Sequence, residues 1–123
     1  MDDEAAVVAT VRDYFEGWFD GDAERMERAL HPALAKTGVG TDAAGVQVTE
    51  SMGADNMISW TREGEGVARK PAGFTFDVTV TEIYHEIATV TVHSPVYREY
   101  LHLIRTADGW RIFNALYMKV LDA

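Results

Sequence analysis

The chain has 123 residues, 47% of them hydrophobic, with 20 acidic against 11 basic side chains and a formal net charge of −9. That bounds it to one domain with a single core and excludes a disordered polyelectrolyte. The acidic balance argues against nucleic acid and anionic membranes as partners, since both need clustered Lys or Arg. With no cysteine there are no disulfides and no thiolate chemistry.

The first residues, Met1-Asp2-Asp3-Glu4, lack the basic and apolar stretches of a signal peptide, and no apolar run nears a membrane span of roughly 20 residues, so a cytoplasmic protein is expected. Asp2 or Asp3 can cap a first helix, and Val7, Val11, Tyr14, Phe15 and Trp18 recur at spacings of three and four to make one apolar face. Gly21-Asp22 interrupts it, and Asp22 caps a short second helix with Met26, Ala29 and Leu30 inward. His31-Pro32 ends that helix, because a residue before proline avoids the helical region. Residues 33–40 read as a short strand, 41–48 as loop, and Thr49 as the cap of a third helix carrying Met52, Met57, Ile58 and Trp60. Residues 63–73, rich in Gly and charge, read as a surface loop.

The remainder is strand. In residues 74–81, Phe74, Phe76, Val78 and Val80 share one face, and Thr75, Asp77, Thr79 and Thr81 the other. The next strand, 88–93, has Ala88, Val90 and Val92 on its apolar face. Matching the two faces requires an odd loop such as Tyr84-His85-Glu86, which sets Asp77 across from His93 as a surface pair, not a catalytic dyad. Residues 100–105 and 110–117 form a final hairpin with two possible registers. A three-residue Ala107-Asp108-Gly109 loop with Gly109 left-handed pairs Thr106 with Trp110, Ile104 with Ile112, His102 with Asn114 and Tyr100 with Leu116. It turns Tyr100, His102, Ile104, Ile112 and Asn114 toward the helices. A four-residue loop puts Leu101 and Leu103 there instead, with Trp110, Ile112 and Asn114. The first is preferred because it leaves a leucine face free for a partner. Helices grouped ahead of an antiparallel sheet make an α+β domain.

The residues Asp13-Tyr14-Phe15-Glu16-Gly17-Trp18 with Gly21-Asp22, Leu30-His31-Pro32, Ala88 to Val92, Tyr100-Leu101-His102-Leu103, Gly109-Trp110-Arg111-Ile112 and Asn114 carry a family likeness. Over nearly its whole length the chain resembles the NTF2-like superfamily, and within it the small bacterial lumazine-binding, SnoaL-like proteins. The resemblance implies one domain over residues 1–123: a cone with three N-terminal helices packed on the concave face of a strongly curved antiparallel sheet. It also implies a pocket at one end and a homodimer through the outer sheet face. The superfamily hosts isomerases, polyketide cyclases, dehydratases and transport adaptors, so fold alone names no reaction. Ketosteroid isomerase, an NTF2-like enzyme, uses a Tyr and a protonated Asp as oxyanion donors with an Asp base. Only Tyr14 matches loosely. The inferred concave strands offer Glu82 near a strand end, and Asp77 faces away.

Candidate pocket residues follow from this layout. Tyr14 and Trp18 lie one turn apart and serve either as core or as a pocket wall with a hydroxyl donor. His31, which can also satisfy a helix end, stands with Lys36 at the mouth. Trp60, Tyr100, His102 and Asn114 complete the lining. His102 is the best candidate acid or base, with Asn114 fixing its tautomer; the plainer alternative is a self-satisfied pair in the core. His31, His85, His93 and His102 do not form a ligand-spaced cluster, and no phosphate loop or nucleophile motif is present, so neither metal nor cofactor is expected. The expected function is binding of a small, flat or apolar organic molecule. The alternatives are an isomerase, cyclase or dehydratase using His102, and a non-catalytic interaction module using the sheet face.

Overall fold

The computed structural model describes residues 2–121. Helix α1 (Asp3–Asp20) starts where the Asp2 carboxylate accepts from the Ala5 amide at 2.7 Å. It stops at Gly21, whose φ of 71° lets its N–H turn back to the last-turn carbonyls. Helix α2 (Ala23–Ala29) is capped by Asp22, which accepts from Arg25 N at 3.1 Å. The Asp13 carboxylate ties the two helices by accepting from Arg25 and Arg28 at 2.9–3.0 Å. The buried face of α1 contains Val7, Val11, Tyr14 and Phe15 as the spacing predicts, and Phe19 as well.

Strand β1 (Leu30–Thr41) follows α2 without a loop. Pro32 falls in the stretch between Leu30 and Ala35 where the register shifts, so its missing N–H breaks no regular ladder. A further strand, β2 (Gln47–Met52), stands where the sequence predicts loop and helix. Asp42 makes the turn before it by accepting from Ala44 N and Val46 N, and β2 pairs back on β1. Residues 47–51 are exposed, so no apolar period marks them. Helix α3 (Ala54–Arg62) is therefore capped at Gly53 and not at Thr49: the Asn56 side chain accepts from Gly53 N at 2.9 Å. Met52 closes the strand. A short 3-10 turn (Val67–Arg69) lies in the following loop.

Strands β3 (Asp77–Tyr84) and β4 (Ile87–His93) hold the predicted register, with Asp77 opposite His93 and Val80 opposite Val90. The odd residue sits in a bulge at Thr81, and the turn itself is two residues, His85-Glu86. Phe74 and Phe76 precede the strand. They stack on α1, Phe76 against Phe15 at 5.2 Å and Phe74 against Phe19 at 4.2 Å.

Strands β5 (Tyr97–Thr106) and β6 (Gly109–Lys119) correct the preferred face. Gly109 is left-handed, at φ 107°, but it pairs with Thr106, and Trp110 pairs with Arg105. Leu103 then meets Ile112, and a bulge at Phe113 restores His102 opposite Asn114 and Tyr100 opposite Leu116. The inward residues are Leu101, Leu103, Trp110, Ile112 and Ala115; Tyr100, His102 and Asn114 point outward. Burying two leucines is worth about 1.5–3 kcal/mol each, whereas burying His and Asn costs free energy wherever partners are missing.

The six strands form one curved sheet in the order β2-β1-β6-β5-β4-β3. Every neighbouring pair is antiparallel except β1 and β6, which run parallel, so the sheet is mixed. The three helices cover one face: α1 packs over β6 and β3, and α3 over β1. Among the described residues no helix is long and apolar enough to cross a membrane.

Candidate functional site

The sheet's curvature, α1 and α3 leave a cavity of about 410 Å³. Helix α1 contributes Tyr14 and Trp18, α3 contributes Met57 and Trp60, β1 contributes Lys36, β5 contributes Tyr97 and Glu99, and β6 contributes Tyr117. At its floor three polar side chains meet, each less than a tenth exposed: Tyr14, Lys36 and Glu99. The Tyr14 hydroxyl donates to Glu99 Oε1 at 2.7 Å and accepts from Lys36 Nζ. Lys36 Nζ also stands 3.7 Å from Glu99 Oε1. The ammonium lies over two aromatic faces, 4.9 Å from the Tyr14 centroid and 4.6 Å from that of Tyr117. A cation and an anion removed from water hold each other only because each is hydrogen-bonded or paired.

Burial, and then the neighbouring Glu99 charge, pushes the Tyr14 phenol well above its usual value, so it stays a donor. Burial pulls the Lys36 ammonium down, against the opposing attraction of Glu99. Burial also raises Tyr97 and Tyr117.

Two glycines shape the walls. A Cβ on Gly38 would lie 2.6 Å from Tyr117 Cζ, so the bare backbone of β1 is what lets that ring cross toward Lys36. A Cβ on Gly66 would lie 2.1 Å from the Trp18 carbonyl oxygen. The loop after α3 can therefore press on α1, which holds Glu65 and Arg69, paired at 2.8 Å, at the cavity's mouth. Trp18 Nε1 is buried without a hydrogen-bond partner among the described residues.

Of the sequence-predicted residues, the structure brings Tyr14, Trp18, Lys36 and Trp60 together on this cavity, with Lys36 buried at its floor and not at the mouth. His31 lies elsewhere, at the α2–β1 junction; its Nδ1 accepts from Ala33 N at 3.0 Å and its ring meets Phe113 edge-on at 5.0 Å. Tyr100, His102 and Asn114 are exposed on the outer sheet face. His102 therefore cannot serve as an acid or base in the cavity, and its partner Asn114 lies on the same outer face. The residue that sequence reasoning missed is Glu99. Its signal is the alternation Tyr97, Glu99, Leu101, Leu103 against Arg98, Tyr100 and His102: the first set is the more apolar and carries the carboxylate inward with it. No group of three or more potential metal ligands occurs among the described residues.

Solved structures share this architecture. An NTF2-like protein of unknown function from Methylobacillus flagellatus KT superposes with a TM-score of 0.70 at 16% identity, covering 98% of this chain and 94% of that one. An NTF-2 like protein of unknown function from Silicibacter pomeroyi DSS-3 gives 0.69 at 18% identity, covering 95% of each chain. A cystatin-like fold protein from Burkholderia xenovorans LB400 gives 0.68 at 23% identity, covering 97% and 92%. At these identities the likeness speaks to the fold. No functionally curated protein matches the sequence. The model of the family described as "Putative lumazine-binding" matches residues 2–118, nearly the whole chain. With its α+β cone, the chain belongs to that family of NTF2-like folds.

Proposed function

We propose that the chain binds a small, flat organic molecule in the cavity between α1, α3 and the concave side of the sheet. The observation that carries this reading is the cavity's construction: aromatic walls from Tyr14, Trp18, Trp60, Tyr97 and Tyr117 above a buried Lys36–Tyr14–Glu99 floor. Rings slide between aromatic faces, and the floor offers a cation, a phenol and a carboxylate to orient a polar edge. A volume of about 410 Å³ lies toward the small end of ligand pockets and suits one or two fused rings. The family's description points the same way, with lumazine as the first compound to try.

Titration with lumazine, riboflavin, aromatic acids and a sterol tests the reading, since Trp18 and Trp60 report on the cavity by fluorescence. A true ligand at a hundred times its dissociation constant stabilises the fold by about 2.7 kcal/mol, which is a rise of roughly 10 °C in melting temperature for a domain of this size. If no compound quenches the tryptophans or moves the melting temperature, the binding reading is wrong.

A second copy of the chain is the proposed partner, docked through the outer sheet face. Tyr100, Phe113, Leu116 and Met118 stand there at 36–49% exposure, a group of large apolar side chains of the kind that a second copy would cover. Sedimentation equilibrium at micromolar concentration gives a dimer mass under this reading, and a monomer mass rejects it.

A further inference from the structure

We propose that Lys36 is a nucleophile that forms an imine with an aldehyde or ketone bound in the cavity. The inference rests on the binding reading above and adds a reaction to it. An ordinary surface lysine is a poor nucleophile because it is protonated and solvated. Lys36 is neither free nor hydrated: its side chain is 6% exposed, at the floor of an aromatic cavity. The ionisable groups that face Nζ come from three elements, Tyr14 of α1, Glu99 of β5 and Tyr117 of β6. Burial also pulls the ammonium's pKa below its usual value, the change that makes lysines reactive in desolvated sites.

The hydrogen bonds make a proton wire. Nζ donates to the Tyr14 hydroxyl, and that hydroxyl donates to Glu99 Oε1. Two concerted hops carry one proton from Nζ to the carboxylate, leave Tyr14 neutral and convert the ion pair into a neutral amine and a carboxylic acid. In a desolvated site that loss of charge is less unfavourable than in water. The amine lone pair then attacks the carbonyl carbon, the C=O π bond breaks, and the oxygen takes the proton held by Glu99 while nitrogen returns one to that carboxylate through Tyr14. The resulting carbinolamine loses its hydroxyl as water, with the proton returned from Glu99, and the nitrogen lone pair closes the C=N bond. Protonated, the product is an iminium whose counter-ion is the Glu99 carboxylate. Overall, an ammonium and a carbonyl give an iminium and one water, with no change of oxidation state.

The test uses the intact chain, 4-nitrobenzaldehyde as probe, and sodium cyanoborohydride to fix any imine as a secondary amine. Peptide mapping by mass spectrometry then reads where the probe is attached. The chain's two other lysines are mapped alongside it: Lys70, paired with Asp20 away from the cavity, is the bulk-solvent control, and Lys119, which also lines the cavity, is the control for mere proximity to the bound probe. The expected result is labelling of Lys36 at least about tenfold faster than of either control. In Lys36→Arg the charge remains but the adduct at position 36 is lost. In Tyr14→Phe the wire is cut, and trapping at saturating probe slows by about a hundredfold. Quenching of the tryptophans by the probe with Lys36 unlabelled, or labelled no faster than Lys70 and Lys119, overturns the proposal and leaves ligand binding standing. Absence of quenching by any compound removes the binding reading itself. Because the decisive map is made on the unaltered chain, a variant that fails to fold does not blunt the test.

Discussion

Removing Lys36 alone should cost far more than removing it together with Glu99. The two charges are 3.7 Å apart, each less than a tenth exposed. At an effective dielectric of about 20 their attraction is about 4.5 kcal/mol before desolvation is subtracted. Most of that attraction only offsets the cost of taking both ions from water, so the intact pair adds little net stability. In Lys36→Met the carboxylate keeps its bond from Tyr14 but loses its counter-charge. Breaking a buried pair this way typically costs 3–5 kcal/mol. The cavity's open mouth admits some water, so we expect a loss near the lower end, about 3 kcal/mol. Glu99→Gln should cost less, about 1–2 kcal/mol, because the buried ammonium can shed its proton and Gln can still accept from Tyr14. The double variant leaves no orphan charge and should lie within about 1 kcal/mol of the parent. The singles therefore fail to add by at least about 3 kcal/mol. Urea unfolding reads this directly: the midpoint falls in each single and recovers in the double, with an unchanged slope. Additive effects, or a Lys36→Met loss under about 1 kcal/mol, would show a solvated floor, and the desolvation argument for Lys36 would fail with it.

Two further perturbations probe the frame around the cavity. Burial raises the Asp13 carboxyl, but its hydrogen bonds from Arg28 and Arg25 outweigh that and hold it below the ordinary carboxylate range. A depressed pKa means that the unfolded chain binds the proton first. Asp13's contribution is therefore complete above the unfolded value of about 3.9 and is lost as pH falls through the lower folded value. Asp13→Asn should lower stability near neutral pH and flatten that part of the acid limb in melting curves taken from pH 6 to 2; an unchanged acid limb rejects the assignment. Gly66→Ala sets a Cβ against the Trp18 carbonyl oxygen, a backbone atom that cannot swing aside. The loop must lift, at a cost of about 1–3 kcal/mol, and limited proteolysis should cut residues 63–73 faster. Parent-like stability and cleavage would mean that the loop does not press on α1.

The helices were legible because their signals are local. Capping by Asp2 and Asp22, the stop at Gly21, and the three-four spacing of Val7, Val11, Tyr14 and Phe15 all act within a few residues of the chain. β2 was not legible, since its residues 47–51 are exposed on both faces and its place depends on pairing with β1. The site was legible in the same proportion. Tyr14 and Trp18 could be placed from helix periodicity alone, whereas every residue on β5 and β6 depended on parity, and parity accumulates. Gly109 took the left-handed conformation expected of it, yet one residue's difference in what it faces, Thr106 instead of the loop, exchanged the two sides of β5. The bulge at Phe113 then restored the expected partners His102 and Asn114, so correct pairing coexisted with the wrong face. The arbiter available in the sequence was burial energy: one side of β5 offers Tyr97, Leu101 and Leu103, the other Arg98, Tyr100, His102 and Ile104. Choosing the apolar side brings Glu99 inward as an apparent misfit. A carboxylate carried into a core by its strand is tolerated only where a cation and a donor meet it, and β1 and α1 supply both in Lys36 and Tyr14. The misfit is thus the most informative residue on the strand. It ties three elements distant in sequence to one point, and it puts the protein's one buried lysine where a bound molecule would meet it.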